Sequence, residues 1–110
     1  MEFTEYQKLA LKTALFPKKY KIIYSAMGLG NEAGEVLGKI KKWLRGDDGH
    51  GSMSKERKLA LRDELGDVLW YLAVLARDLG LDLEEIAKLN IEKLKSRKER
   101  GALKGDGDKR

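Results

Sequence analysis

Apolar residues recur every three or four positions along most of this 110-residue chain, which is the spacing of amphipathic α-helices. Pro17 stops the first helical pattern, and the segment RGDDGHGSMS (45–54) breaks the period and predicts a mobile, polar loop. The pattern predicts four helices: about Thr4 to Leu15, about Lys21 to Leu44, a third from a Ser54 cap to Leu79, and a fourth that Asp82 caps and that frays after Arg97.

Composition supports an all-α fold, because the chain has one Pro, few β-branched residues and abundant Leu, Ala, Lys and Glu. We expect one domain over residues 1–100, followed by a Gly-rich, charged and disordered tail over 101–110. The absence of Cys excludes a disulfide framework and thiolate metal sites. The N-terminal acids and lysines do not resemble a secretory signal, and no apolar run approaches the roughly 18 residues of a membrane span, so we expect a cytoplasmic protein without membrane contact.

The net charge of +5 comes entirely from the end of the chain. Residues 1–87 carry 14 basic and 14 acidic side chains, whereas residues 88–110 carry nine basic and four acidic ones. A basic end can bind the phosphates of a polymer or of a small nucleotide. A helical nucleic-acid-binding module and a non-catalytic protein adaptor are therefore alternatives to an enzyme, although the neutral balance of residues 1–87 argues against nucleic acid.

Two acidic pairs lie beside the apolar stripes of helices two and three. Glu32 and Glu35 belong to EAGE, and Glu64 and Asp67 belong to ELGD. If the two helices pack by their stripes, all four carboxylates gather at the margin of the core, and their repulsion calls for a cation. Without Cys, and with the single His50 in the loop, such a set suits Mg²⁺, with Mn²⁺ as a substitute. Acids on solvated helix faces are the alternative.

Glycines inside helix two, together with Gly66 between the acids of helix three, require an explanation. An interior glycine destabilises a helix by roughly 1 kcal/mol relative to Ala, so each residue either permits close helix packing or makes room for a ligand. Gly34 and Gly66 each fall between the two acids of a pair, which favours a ligand site. The glycines of the second helix are Gly28, Gly30, Gly34 and Gly38.

Helix four and the tryptophans supply further candidates. Lys93 and Arg97 lie one turn apart and are either an ordinary solvated pair or, beside a metal, a phosphate receptor. Asn90 lies on the apolar side of that helix, where a buried amide needs partners. Trp43, next to the loop, is a candidate for stacking on a base, although core packing is the commoner role of such a residue. Trp70 points away from its own stripe, toward either another helix or another subunit. An isolated bundle would expose it, so an oligomer is expected.

In order along the chain, EAGE (32–35), ELGD (64–67) and NIEKLKSR (90–97) resemble the motifs of the MazG-like all-α nucleotide pyrophosphohydrolases. The resemblance implies protomers that are antiparallel four-helix bundles and form homo-dimers or homo-tetramers. It also implies Mg²⁺-dependent hydrolysis of nucleoside triphosphates to monophosphate and pyrophosphate. Asn31 departs from the pattern, because many relatives have another acid there. The implied roles are metal ligation by Glu32, Glu35, Glu64 and Asp67, catalysis by Glu32 or Glu35, and phosphate binding by Lys93, Arg97, Asn90 and Tyr71.

Overall fold

Four α-helices account for most of the chain, and the computed structural model describes residues 1–110. No strand is present, so the all-α prediction is confirmed. None of the helices combines the length and the apolar composition that a membrane span requires. The helices are α1 (Phe3–Leu11), α2 (Ile23–Leu44), α3 (Lys55–Asp78) and α4 (Leu83–Glu99), with a turn of 3-10 helix at Lys18–Tyr20 between α1 and α2.

The predicted caps of α3 and α4 are confirmed. Ser54 Oγ accepts a hydrogen bond from the backbone N–H of Arg57 at 3.0 Å, and Asp82 Oδ1 accepts one from that of Glu84 at 2.9 Å. Gly80 follows α3 with φ of +74°, which glycine adopts without the steric penalty of a Cβ. Local capping chemistry therefore sets these helix ends.

The first helix is shorter than its apolar pattern predicts. It ends at Leu11 rather than at Leu15. The Thr13 hydroxyl donates a hydrogen bond to the carbonyl of Ala10 at 2.8 Å and so satisfies a carbonyl of the last turn. Side-chain bonds of this kind compete with continuation of the helix.

A carboxylate at the end of α3 holds the start of α2. Asp78 Oδ2 accepts hydrogen bonds from the Ile22 N–H at 3.0 Å and from the Ser25 hydroxyl at 2.8 Å. Ile22 has φ of +73°, an uncommon conformation for a β-branched residue. The helix consequently begins at Ile23 rather than at the predicted Lys21.

The best-buried region lies where α1 crosses α3 and the start of α4. Its core consists of Ala10, Ala73 and Leu83. The buried Gln7 side chain donates to the carbonyls of Ala73 and Leu81, both at 3.1 Å, and its Oε1 accepts from the Leu83 N–H. One amide thereby ties α1 to two other elements.

The expectation that an isolated chain would expose Trp70 is wrong. Helix α1 covers this side of α3, and Trp70 Nε1 donates to Thr13 Oγ1 at 2.8 Å. The Trp70 ring also meets the Tyr71 ring edge-on, with centroids 4.8 Å apart. The α1 region of the same chain therefore covers Trp70 without a second subunit.

Helix α2 has two apolar faces, and only one of them is packed in the single chain. Leu29, Val36 and Ile40 are half-buried. The other face, which we call the outer seam, alternates spacings of four and three residues, as in coiled coils. Its apolar side chains are 62–71% exposed. The outer seam comprises Ile23, Met27, Gly30, Gly34, Leu37, Lys41 and Leu44.

The single chain also has more surface than its mass requires. Its accessible area is 8220 Å², whereas a compact monomer of 12.5 kDa has about 6200 Å². Its radius of gyration is 17.0 Å, against about 13 Å for a compact domain of this length. Only nine of 110 residues are buried, so much apolar surface remains open to a further contact.

Candidate metal centre

Three of the four motif carboxylates converge between α2 and α3. One carboxylate oxygen from each of Glu32, Glu64 and Asp67 lies within 4.8 Å of the other two. Glu32 comes from α2, and the other two come from one face of α3, a turn apart. Such a set of oxygen donors fits a hard divalent cation such as Mg²⁺ or Mn²⁺.

Charge accumulates at this centre. Burial raises the pKa of the Glu32 carboxyl, and the negative charges of Asp67, Glu64 and Glu35 raise it further. A bound divalent cation would relieve this repulsion because it brings two positive charges next to the carboxylates. The residues present therefore fit a metal by charge as well as by ligand type.

Glu35 lies outside the group of three. It is exposed on α2, one turn after Glu32, and acts on Glu32 through its charge. Seen along the helix axis, it is rotated by about 60° from Glu32 and away from the shared face. The structure thus brings together Glu32, Glu64 and Asp67 and leaves Glu35 at their edge.

Sequence reasoning missed a cation at the same place. Lys39 Nζ pairs with Glu64 Oε1 at 2.9 Å, and both side chains are mostly buried. Lys39 lies seven residues after Glu32, which is two helical turns, so the helical period could have placed it on the same face. It joins the later part of α2 to the earlier part of α3, and Asp78 makes the complementary connection at the other end.

Tyr71 lies against the α2 backbone, next to the carboxylates. A Cβ added at Gly28 would overlap the Tyr71 ring, so close packing explains this glycine. Burial raises the pKa of Tyr71, as do Tyr24 and the charges of Glu32 and Asp67. The phenol therefore keeps its proton and can donate a hydrogen bond near the centre.

The other helical glycines have no such packing role in the single chain. A Cβ at any of them would meet no atom within 4 Å. Close contact between α2 and α3 therefore does not account for these positions in the single chain. They are Gly30, Gly34, Gly38 and Gly66.

An aromatic cavity of about 390 Å³ opens beside Tyr71. The Phe16 and Tyr24 rings stack within it at 4.6 Å, and Trp70 and Tyr71 form another wall. Its volume is within the range of small-molecule pockets. Sequence reasoning missed Phe16 and Tyr24, although two aromatic residues flanking Pro17 and the start of α2 were a usable signal.

Comparison with known proteins decides the family. The family model described as "MazG nucleotide pyrophosphohydrolase domain" matches residues 25–101 of the chain. The chain belongs to this family. It is 42% identical over 111 residues to the Gene 37 protein of Mycobacterium phage L5, with 96% of each chain covered. It is 36% identical over 72 residues to the uncharacterized protein YvdC of Bacillus subtilis strain 168, covering 63% of this chain and 68% of that one. No solved structure matches.

The matched MazG range contains all three motif blocks but not the whole aromatic cavity. EAGE, ELGD and NIEKLKSR all lie within residues 25–101, whereas Phe16 and Tyr24 precede that range. The family name identifies a nucleotide pyrophosphohydrolase. The cavity is therefore shared between the matched range, which supplies Trp70 and Tyr71, and the part of the chain that precedes it.

Trp43 lies near the loop of this MazG domain and is half-buried. Its Nε1 donates to the carbonyl of Gly51 at 3.1 Å. The loop that was predicted to be mobile has specific contacts, since Asp48 pairs with Arg57 at 2.9 Å and accepts a hydrogen bond from Ser54 Oγ. Trp43 is thus bonded to the loop at one edge of its ring.

The basic residues of the third block lie together on α4. Lys93 Nζ and Arg97 both contact Asp108, whereas Asn90 is exposed, contrary to the burial expected from the apolar pattern. The apolar side of α4 is itself exposed in the single chain, which explains the difference. No ion pair joins Lys93 or Arg97 to the three carboxylates.

Proposed function

We propose that this protein hydrolyses nucleoside or deoxynucleoside triphosphates to the monophosphate and pyrophosphate, with Mg²⁺ as its cofactor. The observation that carries the proposal is the convergence of Glu32, Glu64 and Asp67 in a chain of the MazG family. The proposed role is sanitation or control of the nucleotide pool.

Mg²⁺ at this centre would neutralise phosphate charge and lower the pKa of the attacking water. Glu32, Glu64 and Asp67 are the proposed ligands, with Glu35 as a fourth carboxylate at the edge. Glu32 or Glu35 would orient the water toward the α-phosphorus and accept its proton.

The phosphate end of the substrate is assigned to the basic residues. Lys93 and Arg97 would bind the departing pyrophosphate, with Asn90 as a neutral donor beside them and Tyr71 as a donor on the metal side. The proximity of Lys93 and Arg97 to a shared anion, Asp108, supports an anion-binding role for this pair.

Two places compete for the base of the nucleotide. Trp43 is the candidate from sequence, because of its position beside the loop. The aromatic cavity is the second candidate, since it includes Tyr71 and therefore adjoins the carboxylates. Stacking between aromatic rings can bind any base without reading its edge. We favour the cavity because Trp43 already donates its N–H to Gly51.

We further propose that protomers with antiparallel helices assemble as a homo-dimer or homo-tetramer. The contacts of Lys39 with Glu64 and of Ser25 with Asp78 support the antiparallel arrangement of α2 and α3. The outer seam and roughly 2000 Å² of excess surface per chain support assembly. Two chains that bury this excess would cover about 4000 Å² in total, which is within the range of obligate homodimers. The outer seam lies about 170° around α2 from Glu32, so a second copy there would leave the metal centre open.

The first experiment measures pyrophosphate release from a panel of normal and modified NTPs and dNTPs, with Mg²⁺ and then with EDTA. We expect metal-dependent release with the monophosphate as the second product. The ranking of bases then separates sanitation of modified nucleotides from control of a normal pool. Metal-loaded, folded protein without turnover of any nucleotide would overturn the proposal.

Adjacent acids of α3 provide a matched pair of variants. Glu64→Gln removes a proposed ligand and should lower kcat/KM by at least about 100-fold. Asp63→Asn removes the same charge from an exposed residue paired with Arg62 and should leave kcat/KM unchanged. Circular dichroism checks that both variants fold. Unchanged turnover in Glu64→Gln would refute the ligand assignment.

A further inference from the structure

Residues 101–110 fold back onto the end of α4 and place an acid on its basic pair. Asp108 Oδ1 lies 3.2 Å from Lys93 Nζ and 3.5 Å from an Arg97 terminal nitrogen. The same nitrogen of Arg97 donates to the backbone carbonyl of Asp108. Lys93, and to a smaller extent Arg97, lowers the pKa of Asp108 through hydrogen bonds and positive charge, so the carboxylate stays ionised at neutral pH. One residue of the tail thus presents its carboxylate to both cations and its backbone carbonyl to Arg97.

The contact with Arg97 is incomplete. The Arg97 side chain is only 5% exposed, yet its buried Nε has no hydrogen-bond partner. A carboxylate and one carbonyl leave this donor unsatisfied, whereas a phosphate group has more acceptor oxygens and a higher charge. The Arg97 side chain is therefore better matched to a phosphate than to the acid that contacts it.

A second arginine holds the tail in its folded shape. The Arg110 guanidinium donates hydrogen bonds to three carbonyls of the same segment, those of Ala102, Leu103 and Gly107. Arg100 on the end of α4 donates to the carbonyl of Arg110 at 2.9 Å. These bonds close the segment into a loop and bring Asp108 over Lys93 and Arg97.

We propose that Asp108 is a built-in competitor for the phosphate-binding pair, which the pyrophosphate part of a substrate or product must displace from Lys93 and Arg97. This inference rests on the proposed function, because that function assigns the pair to phosphate. The tail then sets the affinity of the site for short polyphosphates, and releasing the tail strengthens their binding.

The chain contains a matched control for the test. Asp108→Asn removes the competing charge and keeps the side-chain volume. Asp106→Asn removes one charge from the same segment at a residue that makes no hydrogen bond or ion pair. A chain ending at Gly101 removes residues 102–110, including Asp108. Calorimetric titration with inorganic pyrophosphate in Mg²⁺ buffer measures Kd for all four proteins.

We expect Asp108→Asn and the shortened chain to bind pyrophosphate about three- to fivefold more tightly, the effect of one partly exposed ion pair. Asp106→Asn should bind like the parent chain. Equal tightening by both Asn variants would show a general charge effect and overturn the proposal, as would unchanged Kd values or no pyrophosphate binding at all. Turnover of nucleotides is measured separately. Tighter binding in Asp108→Asn without any turnover would refute the proposed function and leave this inference standing.

Discussion

Glu32 is a proposed metal ligand, and its surroundings in the folded chain also raise its pKa. Its raised pKa means that the folded chain binds this proton more tightly than the unfolded chain does. Ionised Glu32 therefore destabilises the folded state when the pH is above the folded-state pKa of this carboxyl. The penalty shrinks as the pH falls from that value to the lower pKa of the unfolded chain. A metal would remove the same penalty at neutral pH, so the instability belongs to the metal-free form.

Glu32→Gln should consequently raise the Tm of the EDTA-treated protein at pH 7, by about 1–3 °C for the loss of one partly exposed like-charge contact. The parent chain should gain stability on adding Mg²⁺, and the variant should gain much less. Differential scanning calorimetry at pH 7 and at pH 4 tests the sign, since the difference should shrink at the lower pH. Glu92→Gln on exposed α4 is the control. A lower Tm for metal-free Glu32→Gln would contradict this account.

The two base-binding candidates can be separated by single aromatic residues. Phe16→Ala removes a ring that stacks on Tyr24 in the cavity and should raise KM about tenfold, within the usual energy of base stacking. Trp43→Ala should change KM much less, because its indole contacts the loop carbonyl of Gly51. Steady-state kinetics on both variants compares them, and the reverse order of effects would favour Trp43.

At the scale of elements, two glycines that look alike in sequence have different structural roles. Gly28 in α2 faces the Tyr71 ring of α3, so the two helices approach closely there. Gly66 in α3 faces open space. The sequence shows only that both lie inside helices, and the packing of one helix on the other distinguishes them.

Gly28→Ala should therefore destabilise the fold by about 1–3 kcal/mol, because the new methyl group displaces the Tyr71 ring. Gly66→Ala should instead stabilise it by about 0.5–1 kcal/mol through helix propensity. Urea denaturation monitored by circular dichroism measures both effects. Equal effects of the two substitutions would show that the contact between Gly28 and Tyr71 is unimportant.

At the scale of the whole molecule, the single chain leaves a wide apolar surface exposed. Its small apolar core lies where α1 meets α3 and the start of α4, while Leu37 and Leu44 of the outer seam are each 69% exposed. Patches of this kind on soluble proteins usually mark interfaces. Gly30 and Gly34 within the seam would allow another helix to approach closely.

A charge placed in the outer seam should separate the subunits. Leu37→Glu is expected to shift the mass measured by light scattering from an oligomer to a monomer at micromolar concentration, because it buries an unpaired carboxylate in the interface. Leu81→Glu introduces the same charge at a 51% exposed leucine between α3 and α4 and should keep the oligomer. A monomeric parent chain would contradict the assembly proposal.

The sequence alone determined what depends on neighbours along the chain. Helix periodicity, the caps at Ser54 and Asp82, and the placement of paired acids on single helix faces are local properties, so they could be predicted. The end of α1 could not, because the bond from Thr13 to Ala10 competes with an apolar pattern that continues beyond it.

Only the tertiary structure decided which side chains meet. It brought Glu32 to Glu64 and Asp67 while leaving Glu35 outside, and it placed Lys39 on Glu64. These outcomes depend on the rotation and register of one helix against another, which result from packing between residues far apart in sequence. Composition and spacing supply the candidate groups, and the packing of α2 on α3 determines which of them share a site.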